Sequence, residues 1–300
     1  MRILVAYDAS PGADEALSDL ARAGLPSVAD VRVFSVCPSC APPPGAASSA
    51  ASFGLRPGRD RTDYALDHAR AVAFRGAERI RHLVPSWTVS HGAARGEACP
   101  ELVGEAHAWH ADLIALGSHA AARHAVPLGS VARCVVAEAP CSVRVGRARA
   151  PTLAARPLRV LVGYDASEGA AAAVGAAASR HWPPGTQARV LVAIDPVDAN
   201  ADPARDPSIP WSELRRRVAK AVEQLRDAGT DAASDVVAGA ARRVLGEEAA
   251  RWEADVLFVG ARGEHGAGRP LAGSVATAAV AHAPCTVEVI RPANVAVTVG

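Results

Sequence analysis

Short apolar runs alternate with longer amphipathic or alanine-rich stretches along the whole 300-residue chain. In the first half the runs fall near 2–8, 31–37, 86–91, 112–117 and 141–146, and their length and composition predict strands. Helical spacing occupies 11–24, 60–84, 97–110 and 129–138. The second half predicts strands at 158–164, 188–194, 234–239, 255–260 and 285–290, and helices at 168–181, 209–228, 244–253 and 273–282. Strands linked by helices predict a parallel sheet, because a crossover helix must return the chain to the same end of the sheet. Four crossovers in each half imply an α/β fold: a doubly wound five-stranded parallel sheet with helices on both faces. Ser10 and Ser167 are placed as helix N-caps, with Pro11 suited to a first turn. The Ala/Pro/Ser/Gly-rich segment 40–57 and its counterpart 200–210 predict loops.

The second half repeats the first. Ile3-Leu4-Val5-Ala6-Tyr7-Asp8-Ala9-Ser10 matches Val160-Leu161-Val162-Gly163-Tyr164-Asp165-Ala166-Ser167. Trp109-His110-Ala111-Asp112-Leu113 matches Trp252-Glu253-Ala254-Asp255-Val256. Ala139-Pro140-Cys141-Ser142-Val143 matches Ala283-Pro284-Cys285-Thr286-Val287. Three matches in the same order along both halves indicate duplication. They divide the chain into a domain at 1–147, an Arg/Ala/Pro-rich linker at 148–157 and a second domain at 158–292.

Half the residues are hydrophobic and the formal net charge is only +1, which gives no electrostatic case for nucleic acid or an anionic membrane. No apolar run approaches the ~20 residues of a membrane span. The first residues form a strand pattern rather than a secretory signal, so the expected location is the cytoplasm. Six cysteines scattered through a large chain predict reduced thiols rather than a disulfide framework. Cys37-Pro38-Ser39-Cys40 is a C-x-x-C motif. A redox or zinc role for it lacks further ligands and is not preserved at Asp195-Pro196 of the repeat. Cys141 and Cys285 are expected to pack as small apolar groups. His107 and His110 are expected at the surface, and Trp109 and Trp252 as packing anchors.

The candidate chemistry lies in one loop. Gly260-Ala261-Arg262-Gly263, nine further residues, then Gly273-Ser274 follows the apolar run 256–259 and precedes an alanine-rich helix. Glycines allow the backbone close to oxygen atoms, and a helix start offers free N–H groups and the positive end of its dipole. The spacing G-x2-G-x9-G-[ST] is neither a Walker A loop nor a Rossmann fingerprint. No Ser-His-Asp order, paired carboxylates or metal-ligand cluster stands out, so a dedicated hydrolase is not predicted.

These residues carry a family resemblance. Each half resembles a universal stress protein domain, through the Tyr-Asp-Ala-Ser strand end, the 112–118 run, the 260–274 loop and the closing Ala-Pro-Cys-x-Val strands. The resemblance implies strand order 3-2-1-4-5, with a ligand crevice where the order reverses between strands one and four. It also implies ATP, with any Mg2+ held by phosphates and water. Gly260, Gly263, Gly273 and Ser274 would cradle phosphates, Asp165 would meet the ribose or adenosine end, and the Ala193 backbone would meet adenine. Arg262 and Arg269 could contact phosphate or solvent. In the first half Asp8, Gly117, Gly129 and Ser130 survive, but Ala120 replaces the second glycine and the loop is one residue shorter. Weak or no binding is expected there, unless His119, Arg123 and His124 compensate.

The function so implied is an ATP-binding, cytoplasmic stress-response protein acting by nucleotide-dependent signalling through partners. The alternatives are a scaffold that binds no nucleotide and a slow ATPase. The family also pairs domains through the fifth strand. Arg144 and Glu288 occupy matching repeat positions there, which suggests intramolecular pairing of the last strands with these charges adjacent. Further homodimerisation stays open.

Overall fold

The computed structural model describes residues 1–38, 61–118, 128–148, 156–194, 210–262 and 272–292, with side chains of the second segment described from residue 64. The first half runs β1 (Arg2–Ala6), α1 (Pro11–Leu20), β2 (Asp30–Cys37), α2 (Arg61–Leu83), β3 (Thr88–Arg95), α3 (Ala98–Ala108), β4 (Leu113–Gly117), α4 (Ser130–Glu138) and β5 (Ser142–Gly146). The second half repeats this order as β6 (Arg159–Gly163), α5 (Glu168–Ala178), β7 (Gln187–Ile194), α6 (Trp211–Asp227), β8 (Asp231–Ala238), α7 (Ala241–Arg251), β9 (Val256–Gly260), α8 (Ser274–His282) and β10 (Thr286–Ile290). All eighteen elements expected from the sequence are present. Ser10 and Ser167 cap α1 and α5, accepting from the N–H of Ala13 and Ala170 at 3.2 and 3.1 Å.

The strands form one ten-stranded sheet in the order β3-β2-β1-β4-β5-β10-β9-β6-β7-β8. Each half is parallel with the order 3-2-1-4-5. The halves join where β5 and β10 pair antiparallel, with Val145 opposite Val287, Arg144 opposite Glu288 and Val143 opposite Val289. The pairing covers two edges that would otherwise expose unpaired backbone groups. Edge strands β3 and β8 have ends displaced from their expected positions by one to four residues. Much of their solvent-facing surface is polar or alanine, as at Asp231, Ala233 and Ser234, so the apolar pattern marks their limits poorly.

The period-two alternation of β5 and β10 sends their residues to two unlike environments. Val143, Val145, Val287 and Val289 enter one core that continues across both halves beneath α3, α4, α7 and α8. The opposite face holds two separate cores, one under α1 and α2 and one under α5 and α6. Buried charges occupy the seam between them. Arg144 donates to Asp19 at 2.7 and 3.2 Å and to Glu288 at 2.7 Å. Glu288 also accepts from Arg180, and Asp19 from the Thr286 hydroxyl at 2.8 Å. Burial opposes the charge on Arg144, but Asp19 and Glu288 outweigh it and raise its pKa above the ordinary value. Two cations face two anions, so no net charge is buried.

A reciprocal contact flanks the seam. Arg147, just past β5, donates to the Val280 carbonyl at 2.6 Å near the end of α8. Arg291, just past β10, donates to the Val136 and Ala137 carbonyls at 2.9 Å near the end of α4. Each half thus places a cation on the last carbonyls of the other half's closing helix, where orphan acceptors and the negative dipole end favour it. Arg147 therefore belongs to the interface. Of the expected linker, 149–155 lies outside the described residues.

One expectation is corrected. Cys99 and Cys134 form a disulfide between α3 and α4, with Cα atoms 6.1 Å apart. Composition suggested reduced thiols because a separation of 35 residues along the chain hides the approach of the two helices. Cys37, Cys141 and Cys285 are free. Cys40 lies outside the described residues. His107 and His110 are exposed, and Trp109 and Trp252 pack half-buried against the shared core.

Candidate crevice at the end of the second-half sheet

The candidate residues are set by the ends of three adjacent strands. The β6/β7 register ends with Gly163 opposite Leu191, and the Tyr164 N–H continues it to the Leu191 carbonyl at 2.9 Å. Two residues further along each strand stand Asp165 and Ala193. On the other side of β6, Val162 is opposite Phe258, and Gly260 lies two residues further. Asp165, Ala193 and Gly260 therefore share one edge, at the carboxyl ends of β6, β7 and β9. This is where the strand order reverses.

Asp165 is exposed, and its carboxylate accepts from the Ser167 N–H at 3.0 Å. Between them Ala166 has φ +64°, a left-handed conformation rare for a residue with a Cβ. The first half repeats both features: Asp8 accepts from the Ser10 N–H at 2.9 Å, and Ala9 has φ +61°. The strained turn aims each aspartate outward while the next serine caps a helix. In the second half Arg217, from α6, reaches the Ala166 carbonyl at 3.1 Å. Sequence reasoning missed Arg217 because it belongs to no motif and meets the turn only through the packing of α6. Tyr164, beside this turn, has its pKa raised by burial.

Gly260 has a structural reason to lack a side chain. A Cβ there would sit 2.5 Å from the Gly169 carbonyl carbon, and a Cβ on Gly169 would sit 2.2 Å from the Arg262 oxygen. Both are far inside contact distance, so two glycines let the post-β9 loop lie on the first turn of α5. Gly117 repeats this, its missing Cβ directed 2.5 Å from the Gly12 oxygen. The phosphate role expected for Gly260 and Gly117 thus acquires an internal competitor. Gly273 differs, with its nearest neighbour 3.5 Å away, and its N–H closes the loop neck onto the Ala261 carbonyl at 2.7 Å. In the first half the Gly129 N–H closes on the Ser118 carbonyl at 3.1 Å.

The helices beyond these necks start differently from α1 and α5. Neither Gly273 at the start of α8 nor Gly129 at the start of α4 offers a side-chain cap. The first-turn N–H groups at Ser274 and Ser130 therefore have no partner within their helices. Ser274, Ser130 and Arg262 are exposed. Gly263, Arg269, His119, Ala120, Arg123 and His124 lie outside the described residues. The crevice is thus framed by an exposed carboxylate, a backbone strand end, a glycine neck and an uncapped helix start. Such a set can accept hydroxyl donors at one end and an anion at the other. A groove of about 860 Å3 between α7 and α8 touches Ser274 from behind but reaches neither Asp165 nor Gly260.

The universal stress protein family model matches residues 1–147 and again 158–291. The chain belongs to the universal stress protein family. A universal stress protein from Archaeoglobus fulgidus DSM 4304 shares its fold with a TM-score of 0.67 at 17% identity, over 97% of this chain and 98% of that one. A putative universal stress protein from Pseudomonas aeruginosa UCBPP-PA14 matches with a TM-score of 0.57 at 14% identity, over 97% of this chain and 93% of that one. A search of curated proteins found no match. At these identities the structural likenesses establish the architecture of this universal stress protein. Among the described residues no helix is long and apolar enough to cross a membrane.

Proposed function

We propose that this universal stress protein binds ATP in the second-half crevice and signals by presenting the ordered, nucleotide-filled loop to a partner in the cytoplasm. The observation that carries the reading is the convergence of Asp165, Ala193 and Gly260 on one sheet edge beside the uncapped start of α8. Asp165 would accept ribose hydroxyls, and the β7 backbone at Ala193 would meet the adenine edge. The glycine neck with Gly263, Gly273 and Ser274 would take the phosphates, whose charge the helix start favours. Arg262 is free to swing toward them. Mg2+, if bound, would be held by phosphate oxygens and water.

In the first half Asp8, Gly117, Gly129 and Ser130 would form a weaker or empty counterpart. The antiparallel junction of the halves sends their carboxyl strand ends to opposite edges of the sheet. Two nucleotides, if both bind, would therefore not touch.

The test is the nucleotide released from purified protein by denaturation, identified by mass and counted per chain, with Gly263→Asp alongside. One ATP per wild-type chain and none on the folded variant is the expected result. Wild-type protein that neither retains ATP nor binds it in titration with Mg2+ would refute the proposal. So would a folded Gly263→Asp variant with unchanged affinity.

A further inference from the structure

The first half carries a cluster that the crevice does not use. Cys99 is the second residue of α3, while Cys134 and Glu138 stand four apart on one face of α4. The two sulfurs and a Glu138 carboxylate oxygen all lie within 4.8 Å of one another. Cys99 is buried, Cys134 half-buried and Glu138 exposed. Glu138 has no hydrogen-bond or ion-pair partner among the described residues. The repeat does not preserve the set: the matching positions are Arg242, Ala278 and His282, which line the open groove between α7 and α8. The cluster is therefore peculiar to one half and is not required by the fold.

We propose that Cys99, Cys134 and Glu138 form a thiol-gated site for a thiophilic divalent cation of the zinc type. In the oxidised protein the two sulfurs bond to each other and offer no thiolate. A dithiol reductant opens the bridge by exchange: it passes two electrons and two protons to the cysteines and closes its own disulfide. The cation then displaces both thiol protons. Two thiolates and the Glu138 carboxylate supply three ligands, and water supplies the fourth. Softness favours this assignment, since two sulfurs with one carboxylate suit zinc over magnesium or calcium.

The geometry needs only local adjustment. With Zn–S bonds near 2.3 Å, tetrahedral sulfurs sit about 3.8 Å apart, which side-chain rotation can reach from a severed bridge. The carboxylate oxygen must close to about 3.5 Å from each sulfur, a short movement for an exposed, unpaired glutamate. Its exposure is also the entry route. Either cross-link, disulfide or metal, ties α3 to α4, the helix that begins at Ser130.

The test uses full-length protein, either treated with an oxidised dithiol or reduced with a phosphine and desalted without oxygen. Zn2+ is titrated against a chromophoric chelator, and Co2+ is added separately to read the thiolate charge-transfer absorption. Reduced wild type should bind one tight Zn2+ with proton release and show the Co2+–thiolate band. Oxidised wild type should lack that site. Cys134→Ser and Cys99→Ser should lose it, and Glu138→Gln, whose thiols are intact, should weaken it by more than the roughly tenfold cost of an outer-shell partner. Circular dichroism confirms that each variant is folded. Four results would overturn the assignment: equal affinity in oxidised and reduced protein, equal affinity in wild type and a folded Cys134→Ser variant, no Co2+–thiolate band, or no effect of Glu138→Gln.

Discussion

Two alanines hold left-handed backbone at equivalent positions, Ala9 at φ +61° and Ala166 at φ +64°. A methyl group in that region costs roughly 1 kcal/mol relative to glycine. Ala9 is exposed, so it loses little packing when the methyl is removed. Ala9→Gly should raise stability by about 0.5–1 kcal/mol in urea titration. An unchanged or lower midpoint would show that the turn is not strained. Gly260→Ala tests the opposite situation, because its Cβ would meet Gly169 backbone at 2.5 Å. Overpacking of this kind costs typically about 1–3 kcal/mol, and thermal unfolding should show it. Gly273→Ala has room and should unfold like wild type. The free thiols add a pH dependence: burial pushes Cys141 and Cys285 up to about 12 from an ordinary 9.0. The folded state keeps those protons while the unfolded chain releases them. Their contribution is therefore complete below about pH 9 and is lost as pH rises from there toward about 12. Stability that is flat across this range in denaturant titrations would contradict the burial argument.

At the scale of elements, the β5–β10 junction turns a sequence expectation into a geometric one. Arg144 and Glu288 were expected to be neighbours, and they face each other at 2.7 Å. The structure adds Asp19 from α1 and Arg180 from just beyond α5, neither of which the strand pattern could reveal. This changes what a charge swap should do. Arg144→Glu leaves three carboxylates around Arg180 in a buried site, and losing one partner of such a pair costs about 3–5 kcal/mol. Adding Glu288→Arg restores opposite charges at the centre. It also sets the new carboxylate on β5 against Asp19 and the new guanidinium on β10 against Arg180. Rescue should therefore be partial, recovering part of the lost stability in chemical denaturation. Full rescue would mean that Asp19 and Arg180 contribute nothing.

For the whole molecule, the duplication makes the interface self-selecting. Arg144 and Glu288 are equivalent under the repeat, so a first-half homodimer of the same geometry would oppose Arg144 with Arg144. A second-half homodimer would oppose Glu288 with Glu288. Either sets like charges directly opposite each other, offset only by that half's own Asp19 or Arg180, so the halves expressed separately should form a one-to-one heterodimer on mixing in preference to either homodimer. Light scattering after size exclusion would show this, and homodimers of either half that persist on mixing would refute it. Much of the molecule was legible in the sequence. Apolar runs such as 3–5 and 256–259 marked the central strands β1 and β9, because a strand buried on both faces is largely apolar, while β5 and β10 carry Arg144 and Glu288 between buried valines. The repeated Tyr-Asp-Ala-Ser marked both strand ends that border the crevices. Strands β3 and β8 were displaced because an edge strand, half in solvent, needs little apolar patterning. Three things lay beyond the sequence: the Asp19–Arg144–Glu288–Arg180 cluster, the reach of Arg217 to the Ala166 carbonyl, and the meeting of Cys99 with Cys134. Sequence determined the elements and their order, since local propensity and burial periodicity are written residue by residue. Tertiary structure alone decided which distant side chains became partners, because those contacts depend on how helices lie across the sheet rather than on spacing along the chain.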